Sequence, residues 1–445
     1  MSFRVARELF VVPHGEDFIL YEPFRGAVVK VTASVIASLQ RLNETGDLEP
    51  GPVRETLIRA GVLVPENSQV DEVNQQSAHH EAFAPTAVTL FPTFDCNLRC
   101  VYCYSNAGVR TQAMSRHVAD AAIRTIVDNA IKRGTGSISL GFHGGGEPFF
   151  GPGWLLMRHA VKTAKSAASQ HGLKLTTSSA TNGVLNEEQL GWLCENLDSI
   201  NLSWDGPPDI QDAQRPLANG SGSSTLVERT ARFLTERNYR FGIRSTVTRA
   251  SVNRLPELVG YFRNIAPTAR IHLEPLFECG RCLTTKTGAP EYADFAQAFL
   301  DLCAARGGEE FTYSGTQFGF PKNRFCGACG DNFVISPFGD VTSCFEVSHS
   351  SDPLAKIFFL GKYDVVRDSF TIDESRRQHL RSRTVQRLPH CTDCIAKYSC
   401  AGDCPAHAAR ASNLFDASVN PRCTTNQQLF VQQLAQRVTA PRGLS

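Results

Sequence analysis

The hydrophobic pattern divides the 445-residue chain into three regions, with a polar stretch after the first. Early on, FRVARELFVV, FILYEP and GAVVKVT alternate apolar and polar positions as strands do. ASVIASLQRL and PVRETLIRAGVL then repeat apolar residues at helical spacing. The next stretch, ENSQVDEVNQQSAHHEAFAP, is polar and has no period. The pattern predicts a small α+β domain over residues 1–66 and a linker over residues 67–85.

The middle region alternates strand and helix patterns. Its six strand candidates are TAVTLFPT, SISLGFH, KLTTSSAT, SINLSW, YRFGIRSTVT and RIHLEPLF. Helical stretches such as SRHVADAAIRTIVDNAIKR and TLVERTARFLTER lie between most of them. This alternation is typical of an α/β fold with a parallel sheet, because a helix must carry the chain back between parallel strands. We therefore predict a partial, TIM-like (β/α)6 barrel over residues 86–278, with its chemistry at the C-terminal strand ends.

From residue 279 to residue 445 the periodicity weakens, and glycine, proline and cysteine interrupt the pattern. The chain has 15 cysteines, and its opening MSFRVARELFVVPHGEDF does not read as a secretory signal. A disulfide framework is therefore not expected, and clustered cysteines favour metal binding. Cys194 and Cys303 differ from the rest, because each lies inside an apolar helical pattern that indicates a structural thiol.

Charge and hydropathy exclude two classes of partner. The formal net charge is +1 and no basic stripe is present, which speaks against nucleic acid. No apolar run approaches the length of about 18 residues that a membrane helix needs. We therefore expect a cytoplasmic protein that binds neither nucleic acid nor membrane.

The stretch CNLRCVYCY follows the first strand of the predicted barrel and holds Cys96, Cys100 and Cys103. A closed zinc site would need a fourth ligand, and none follows closely. A four-iron cluster held by three cysteines instead keeps one iron open for another ligand. This spacing therefore favours an iron–sulfur cluster with an open position.

CNLRCVYCY resembles the C-x3-C-x-aromatic-C signature of radical S-adenosylmethionine (SAM) enzymes, with Tyr102 as the aromatic residue. The resemblance implies that the open iron binds SAM and that an electron cleaves SAM to a 5′-deoxyadenosyl radical, which removes hydrogen from an unactivated carbon. The stretch GFHGGGEPFF looks like the GGEP loop of the same family, which would bind the SAM ammonium. The matching residues are Gly145, Gly146, Glu147 and Pro148.

Shorter segments at later strand ends look like further family motifs. SATNGVL and NLSWDG resemble the TNG and S-x-D-G segments, which implies that Thr181, Asn182, Ser203 and Asp205 line the SAM cavity or the substrate side. Arg215 and Arg244 are candidate partners of the SAM carboxylate. The alternative for each of these residues is a turn or a salt bridge, because motifs this short are common.

Near the C-terminal end, CTDCIAKYSCAGDC spaces its cysteines as C-x2-C-x5-C-x3-C, and CGACGDNFVISPFGDVTSC lies upstream of it. This pattern resembles a SPASM domain, a cysteine-rich extension of radical SAM enzymes that modify peptides and proteins. The resemblance implies two auxiliary [4Fe-4S] clusters, and hence three clusters in all. The first would use Cys326, Cys329, Cys344 and Cys404, and the second would use Cys391, Cys394, Cys400 and Cys423. The alternative is structural zinc, which C-x2-C pairs also suit. Residues 279–445 are thus predicted to form the SPASM domain.

Cys279 and Cys282 form a C-x2-C pair outside this pattern. They are candidates for hydrogen donors to a substrate radical, for a spare metal pair, or for buried thiols.

The N-terminal region looks like the winged-helix leader-peptide recognition domains of natural-product maturases, which bind a leader as an added strand. The alternative is a capping domain without a ligand. Together these resemblances predict a maturase that modifies a ribosomally made precursor peptide, or a protein, by an oxidative step such as a thioether or carbon–carbon crosslink. A reducing partner such as flavodoxin or ferredoxin would supply the electron.

Three alternatives stay open. Peptide epimerisation would need a hydrogen donor. An anaerobic sulfatase maturase shares the SPASM pattern, but that family carries an aspartate directly after the cysteine matching Cys344, where this chain has Phe345 followed by Glu346. A non-catalytic, metal-stapled peptide-binding module is the alternative outside enzymes.

Overall fold

The computed structural model describes residues 2–46, 48–68, 82–307, 311–316 and 319–439. Most of the predicted linker, residues 69–81, lies outside them. The chain divides into two compact units. The first comprises the described residues of Met1–His80, Gly315–Phe325 and Arg383–Ser445, and the second those of Glu81–Ser314 and Cys326–Ser382.

The strands, in chain order, are β1 (Phe3–Val5), β2 (Phe10–His14), β3 (Asp17–Glu22), β4 (Ala27–Val31), β5 (Leu63–Pro65), β6 (Ala87–Leu90), β7 (Ser137–Phe142), β8 (Lys174–Thr181), β9 (Ser199–Ser203), β10 (Phe241–Val247), β11 (Arg270–Pro275), β12 (Phe311–Thr312), β13 (Val334–Ile335), β14 (Asp340–Thr342), β15 (Phe359–Asp364) and β16 (Ser369–Ile372).

The α-helices are α1 (Ala33–Thr45), α2 (Pro52–Arg59), α3 (Arg116–Arg133), α4 (Pro152–Gln170), α5 (Glu187–Asn196), α6 (Pro208–Gln214), α7 (Ser224–Glu236), α8 (Leu255–Ile265), α9 (Tyr292–Ala305), α10 (Ala355–Phe358), α11 (Glu374–Arg381), α12 (Lys397–Cys400), α13 (Pro405–Ala411) and α14 (Cys423–Thr439). Turns of 3-10 helix lie at Val252–Arg254, Gly280–Thr284, Val385–Arg387 and Pro389–Cys391.

The first unit is built around β3, which is buried on both faces. Strands β2, β3 and β4 form an antiparallel sheet. Successive side chains of a strand point to opposite faces. Leu20 therefore joins the core with α1 and α2, while Tyr21 joins a second core with α14, where its ring lies 5.2 Å from that of Phe430. The predicted N-terminal strands and helices are confirmed, and β3 packs them against the C-terminal cysteine-rich residues of the same unit.

The second unit contains the predicted parallel sheet. Strands β6 to β11 are neighbours in chain order, and each pairs in parallel with the next. All six barrel strands predicted from the sequence are thereby confirmed. Helix α3 shows how they are covered: Ala119, Ile123, Ile126 and Ala130 form a buried stripe at intervals of three and four residues. The α/β fold class is confirmed.

The sheet extends further than the sequence predicts. Among the described residues it has eleven strands in the order β12, β11, β10, β9, β8, β7, β6, β13, β14, β15, β16. Strand β13 pairs in parallel with β6, and β14 to β16 add an antiparallel meander. These strands are two to six residues long, too short to give a detectable alternation.

Within the part of the chain that the structure describes, no helix is both long and apolar enough to cross a bilayer.

Helix α8 offers a test of the packing around the sheet. Leu258 is fully buried against Gly206, which follows β9, whereas Leu155 on α4 is 60% exposed. We expect Leu258→Ala to lower the free energy of unfolding by about 2–5 kcal/mol, because it leaves a cavity, and Leu155→Ala to change it by less than about 1 kcal/mol. Urea unfolding followed by tryptophan fluorescence measures both. Equal losses in the two variants would contradict this packing.

Candidate active site at the C-terminal edge of the sheet

Three loops meet where β6, β7 and β8 end. The cysteine loop follows β6, the GGEP loop follows β7, and the TNG turn follows β8. The amide of Glu147 donates to the carbonyl of Asp95 at 2.9 Å, which joins the first two loops. Asn182 Nδ2 donates to Asn97 Oδ1 at 2.7 Å and lies 3.9 Å from Cys96 Sγ, which joins the third loop to the first.

Glu147 connects the GGEP loop with the TNG turn. Its carboxylate is buried and accepts hydrogen bonds from Thr181 Oγ1 at 2.8 Å, from the Asn182 amide at 2.7 Å and from the Phe149 amide at 3.2 Å. Burial raises the pKa of Glu147 to about 7, and these hydrogen bonds hold it below the value that burial alone would produce. A cation placed beside this carboxylate would favour its ionised form.

The glycines of the GGEP loop allow the close approach of the cysteine loop. A Cβ on Gly145 would lie 2.6 Å from the ring of Phe94, and a Cβ on Gly146 would overlap the carbonyl oxygen of Asp95. Side chains at these positions would push the two loops apart. Across the same contact, the hydroxyl of Ser105 donates to the carbonyl of Gly145 at 2.8 Å.

Two of the three loop cysteines have backbone amide donors aimed at their sulfur atoms. The amide of Leu98 lies 3.4 Å from Cys96 Sγ, and the amide of Ala107 lies 3.4 Å from Cys103 Sγ. Burial raises the pKa of Cys100 to about 11, although the charge of Arg215 lowers it. Three cysteines close enough to interact electrostatically, two of them with amide donors to sulfur, fit an iron–sulfur cluster, because such donors stabilise thiolate ligands.

Tyr102 anchors the cysteine loop to the segment after β9. Its hydroxyl donates a short hydrogen bond to Asp205 and accepts one from Arg215 at 2.8 Å. Asp205 also accepts from Gln214 Nε2 at 2.7 Å and from the Thr246 amide at 3.0 Å. Arg215 is a candidate partner of the SAM carboxylate, but one of its guanidinium nitrogens already donates a hydrogen bond to Tyr102.

Ser203 and Arg244 occupy paired positions on neighbouring strands, at the end of β9 and within β10. The Arg244 side chain is exposed. Burial lowers the pKa of His143 to about 4, and the charge of Arg244 lowers it further. Pro148 lies beside Glu147 in the GGEP loop.

Cys279 and Cys282 are buried, and each is engaged locally. The Cys279 amide donates to Cys282 Sγ at 2.9 Å, and that thiol donates to the Cys279 carbonyl at 3.0 Å. This pair shapes a 3-10 turn that presents Gly280 and Arg281 to the cysteine loop. The Arg281 guanidinium donates to the carbonyls of Cys100 at 2.9 Å and Ala107 at 2.7 Å.

Sequence reasoning missed Arg281 and His143. Arg281 lies between Cys279 and Cys282, and the sequence interpretation considered only the thiols of this segment. The imidazole of His143 directly follows β7 and lies 3.4 Å from the Tyr104 hydroxyl. The available signal was its place, since a polar residue at the C-terminal end of a barrel strand faces the site. The Phe345 ring lies 4.8 Å from that imidazole, at the position after Cys344.

The C-terminal cysteines are distributed over both units. Cys326, Cys329 and Cys344 lie in the second unit, and Cys404 lies in the first. Burial raises the pKa of Cys344, and the charges of Glu346 and Cys326 add to the effect. The second predicted set lies entirely in the first unit and lines one cavity: Cys391, Cys394, Cys400 and Cys423.

The fold and the site together define an α/β domain with a cysteine-rich centre at the C-terminal edge of its parallel strands. Residues 90–249 match the model of the radical SAM superfamily. The chain therefore contains a radical SAM domain, the domain of enzymes that use SAM and a [4Fe-4S] cluster.

Two curated relatives and one solved structure place this domain in context. The cysteine-type anaerobic sulfatase-maturating enzyme of Clostridium perfringens is 28% identical over 216 residues, which cover 46% of this chain and 57% of that enzyme, under two thirds of its length. Mycofactocin maturase MftC of Mycobacterium ulcerans is 26% identical over 82% of this chain and 94% of its own length. The structure of Streptococcus suis SuiB bound to precursor peptide SuiA has a TM-score of 0.53 at 14% identity, covering 93% of this chain and 98% of SuiB.

The turn at Gly280 tests how the cysteine loop is held. Gly280 has φ +59°, and an added Cβ would lie 2.5 Å from the carbonyl oxygens of Cys103 and Tyr104. We expect Gly280→Ala to lower the free energy of unfolding by about 1–3 kcal/mol, because both the backbone angle and the contact become unfavourable. Anaerobic urea unfolding measures the change.

Gly191 is the matched control, since it lies inside α5 with open space around an added Cβ. Gly191→Ala should raise the free energy of unfolding by about 0.5–1 kcal/mol. A Gly280→Ala protein as stable as the parent would contradict the close approach of this turn to the cysteine loop.

Proposed function

We propose that the protein is a radical SAM maturase that modifies a ribosomally made precursor peptide. The observation that carries the proposal is the joining of three loops at the C-terminal edge of β6, β7 and β8. It gathers the cysteines, the GGEP loop and the TNG turn around one site within the radical SAM domain.

Cys96, Cys100 and Cys103 would hold the cluster whose fourth iron stays open. When bound there, the cluster and SAM supply a 5′-deoxyadenosyl radical that abstracts hydrogen from the peptide. Glu147 would pair with the SAM ammonium. That cation would lower the pKa of Glu147 from about 7 and so favour the ionised carboxylate. Arg244 has its charge on the exposed side of β10 and is the more available partner for the SAM carboxylate, since Arg215 is bonded to Tyr102.

Two features support a peptide as the substrate. MftC is a maturase that aligns with most of this chain, and SuiB has a similar fold and was solved with its precursor peptide. The three-stranded sheet of the first unit also has two edge strands among the described residues, β2 and β4, since each pairs only with β3. A leader peptide would bind by adding a strand to one of these edges, as the backbone groups there are unpaired within the sheet.

The eight cysteines of the two C-terminal sets would hold two auxiliary [4Fe-4S] clusters: Cys326, Cys329, Cys344 and Cys404 in one, and Cys391, Cys394, Cys400 and Cys423 in the other. Hydrogen abstraction leaves a peptide radical, and closing a thioether or carbon–carbon crosslink from it releases one proton and one electron. An auxiliary cluster held by these cysteines would accept that electron, so that the net change in the peptide is oxidative. Flavodoxin or ferredoxin would supply the electron that starts the reaction. The proposal keeps the predicted domains: a leader-binding domain over residues 1–66, a linker over 67–85, the radical SAM barrel over 86–278 and the SPASM domain over 279–445.

Sulfatase-type maturation is the second candidate, favoured by the 28% identical relative. The residue after Cys344 speaks against it. Phe345 packs against His143 and Phe91 there, and a phenyl ring cannot accept the proton that an aspartate would take. Epimerisation would need Cys279 or Cys282 to give up hydrogen, and both thiols are buried.

Iron content and SAM cleavage test the proposal. After anaerobic reconstitution with iron and sulfide, we expect about twelve irons per chain, four for each cluster. With SAM and a strong reductant, the protein should release 5′-deoxyadenosine. The Cys96/Cys100/Cys103→Ala variant should keep about eight irons and lose all SAM cleavage.

Cys194→Ala is the control, because Cys194 lies on α5 outside every predicted cluster set. It should retain full iron and full SAM cleavage. Zinc in place of iron, with no 5′-deoxyadenosine, would overturn the radical SAM assignment and leave a metal-stapled binding module. Release of 5′-deoxyadenosine by the triple variant would overturn the role of Cys96, Cys100 and Cys103 in SAM cleavage.

A further inference from the structure

The start of α14 faces the cavity lined by Cys391, Cys394, Cys400 and Cys423. Asn426 and Gln427, the fourth and fifth residues of this helix, also line the cavity. Both side chains end in an amide, which offers an NH2 donor and a carbonyl acceptor. The contacts of each amide decide which end faces the sulfurs.

Asn426 turns its NH2 group toward Cys400. Its Nδ2 lies 3.2 Å from Cys400 Sγ and 3.1 Å from an oxygen of Asp403. An ionised carboxylate only accepts hydrogen bonds, so the end that faces Asp403 is the NH2 group. Asn426 is buried, and this geometry therefore brings a donor to one cysteine sulfur without water.

Gln427 places a second NH2 group near two other sulfurs. Its Nε2 lies 3.4 Å from Cys394 Sγ and 3.9 Å from Cys423 Sγ. Cysteines that bind iron do so as thiolates, which accept hydrogen bonds and do not donate them. Between them, the two amides reach three of the four cavity cysteines.

A buried ion pair holds this arrangement. Asp403 pairs with Arg422, and both side chains are almost fully buried. Arg383 donates to the carbonyls of Gly402 at 2.8 Å and Asp403 at 3.2 Å. These contacts retain the turn after Cys400, in which Ala401, Gly402 and Asp403 all have positive φ, between 53° and 76°. Such a backbone persists only where the surrounding structure holds it. Because Asn426 donates to Asp403 in this turn, the fixed turn also orients the Asn426 amide toward Cys400.

We propose that Asn426 and Gln427 raise the reduction potential of the iron–sulfur cluster held by Cys391, Cys394, Cys400 and Cys423. This inference rests on the auxiliary cluster of the proposed function. Four cysteine sulfurs lining one cavity, three of them with amide donors, fit such a cluster. Hydrogen bonds to cluster sulfurs favour the reduced form, which carries more negative charge. Both side chains are positioning residues and leave the SAM site untouched.

Gln427→Leu is the main test, because it removes the donor at a half-buried position while keeping similar bulk. Gln428→Leu is the matched control on the exposed face of the same helix. The reconstituted proteins are titrated anaerobically with dithionite and followed by electron paramagnetic resonance. A Cys391/Cys394→Ala variant, which lacks this cluster, identifies its signal among the three.

We expect the midpoint potential of this cluster to shift to a more negative value in Gln427→Leu. It should be unchanged in Gln428→Leu, and the other two clusters should keep their potentials in both variants. Asn426→Leu should shift the same signal in the same direction. If the Asn426→Leu protein does not assemble this cluster, the midpoint potential of Gln427→Leu alone tests the inference.

An unchanged midpoint in Gln427→Leu, with full iron content, would overturn the inference and leave the proposed function standing. A wild-type protein that binds about eight irons and yields no signal assignable to these cysteines would overturn the cluster itself, and with it that part of the proposed function. Iron content therefore separates the two failures.

Discussion

The candidate site depends on one buried carboxylate. Glu147 accepts hydrogen bonds from Thr181 and from the Asn182 amide, so the loop after β7 cannot move without the turn after β8. Its own amide donates to Asp95, which extends the constraint to the cysteine loop. A carboxylate without partners would be costly to bury, and these donors offset that cost. Glu147 therefore links all three loops, through its side chain to the TNG turn and through its backbone amide to the cysteine loop.

A second constraint acts from the far side of the cysteine loop. The 3-10 turn at Gly280 lies so close to the loop that only a glycine fits, and the Arg281 side chain donates to two carbonyls of the cysteine loop, those of Cys100 and Ala107. Cys279 and Cys282 close this turn through their own backbone and thiol. Their arrangement suits support of the cysteine loop better than delivery of hydrogen to a substrate.

In the first unit, strand β3 explains why the N-terminal region and the cysteine-rich C-terminal residues form one body. Ile19 and Tyr21 face α14, while Leu20 faces α1 and α2. Helix α14 begins at Cys423 and carries Asn426 on its first turn. The sheet that would receive a leader peptide thus shares a core with the helix that would support a cluster. Because the two are in direct packing contact, a displacement of the sheet would also displace the helix.

The sequence by itself determined the elements whose signals are local. Periodicity located the six barrel strands and their helices, because buried faces repeat at fixed intervals. The spacing of Cys96, Cys100 and Cys103 predicted an iron–sulfur cluster with an open position, because ligand type and number are read from the residues alone. Only the tertiary structure decided the rest. The pairing of β13 with β6, the reach of Arg281 to Cys100, and the amides of Asn426 and Gln427 near sulfur join residues far apart in the chain. Such contacts depend on how elements pack, and no local pattern records them.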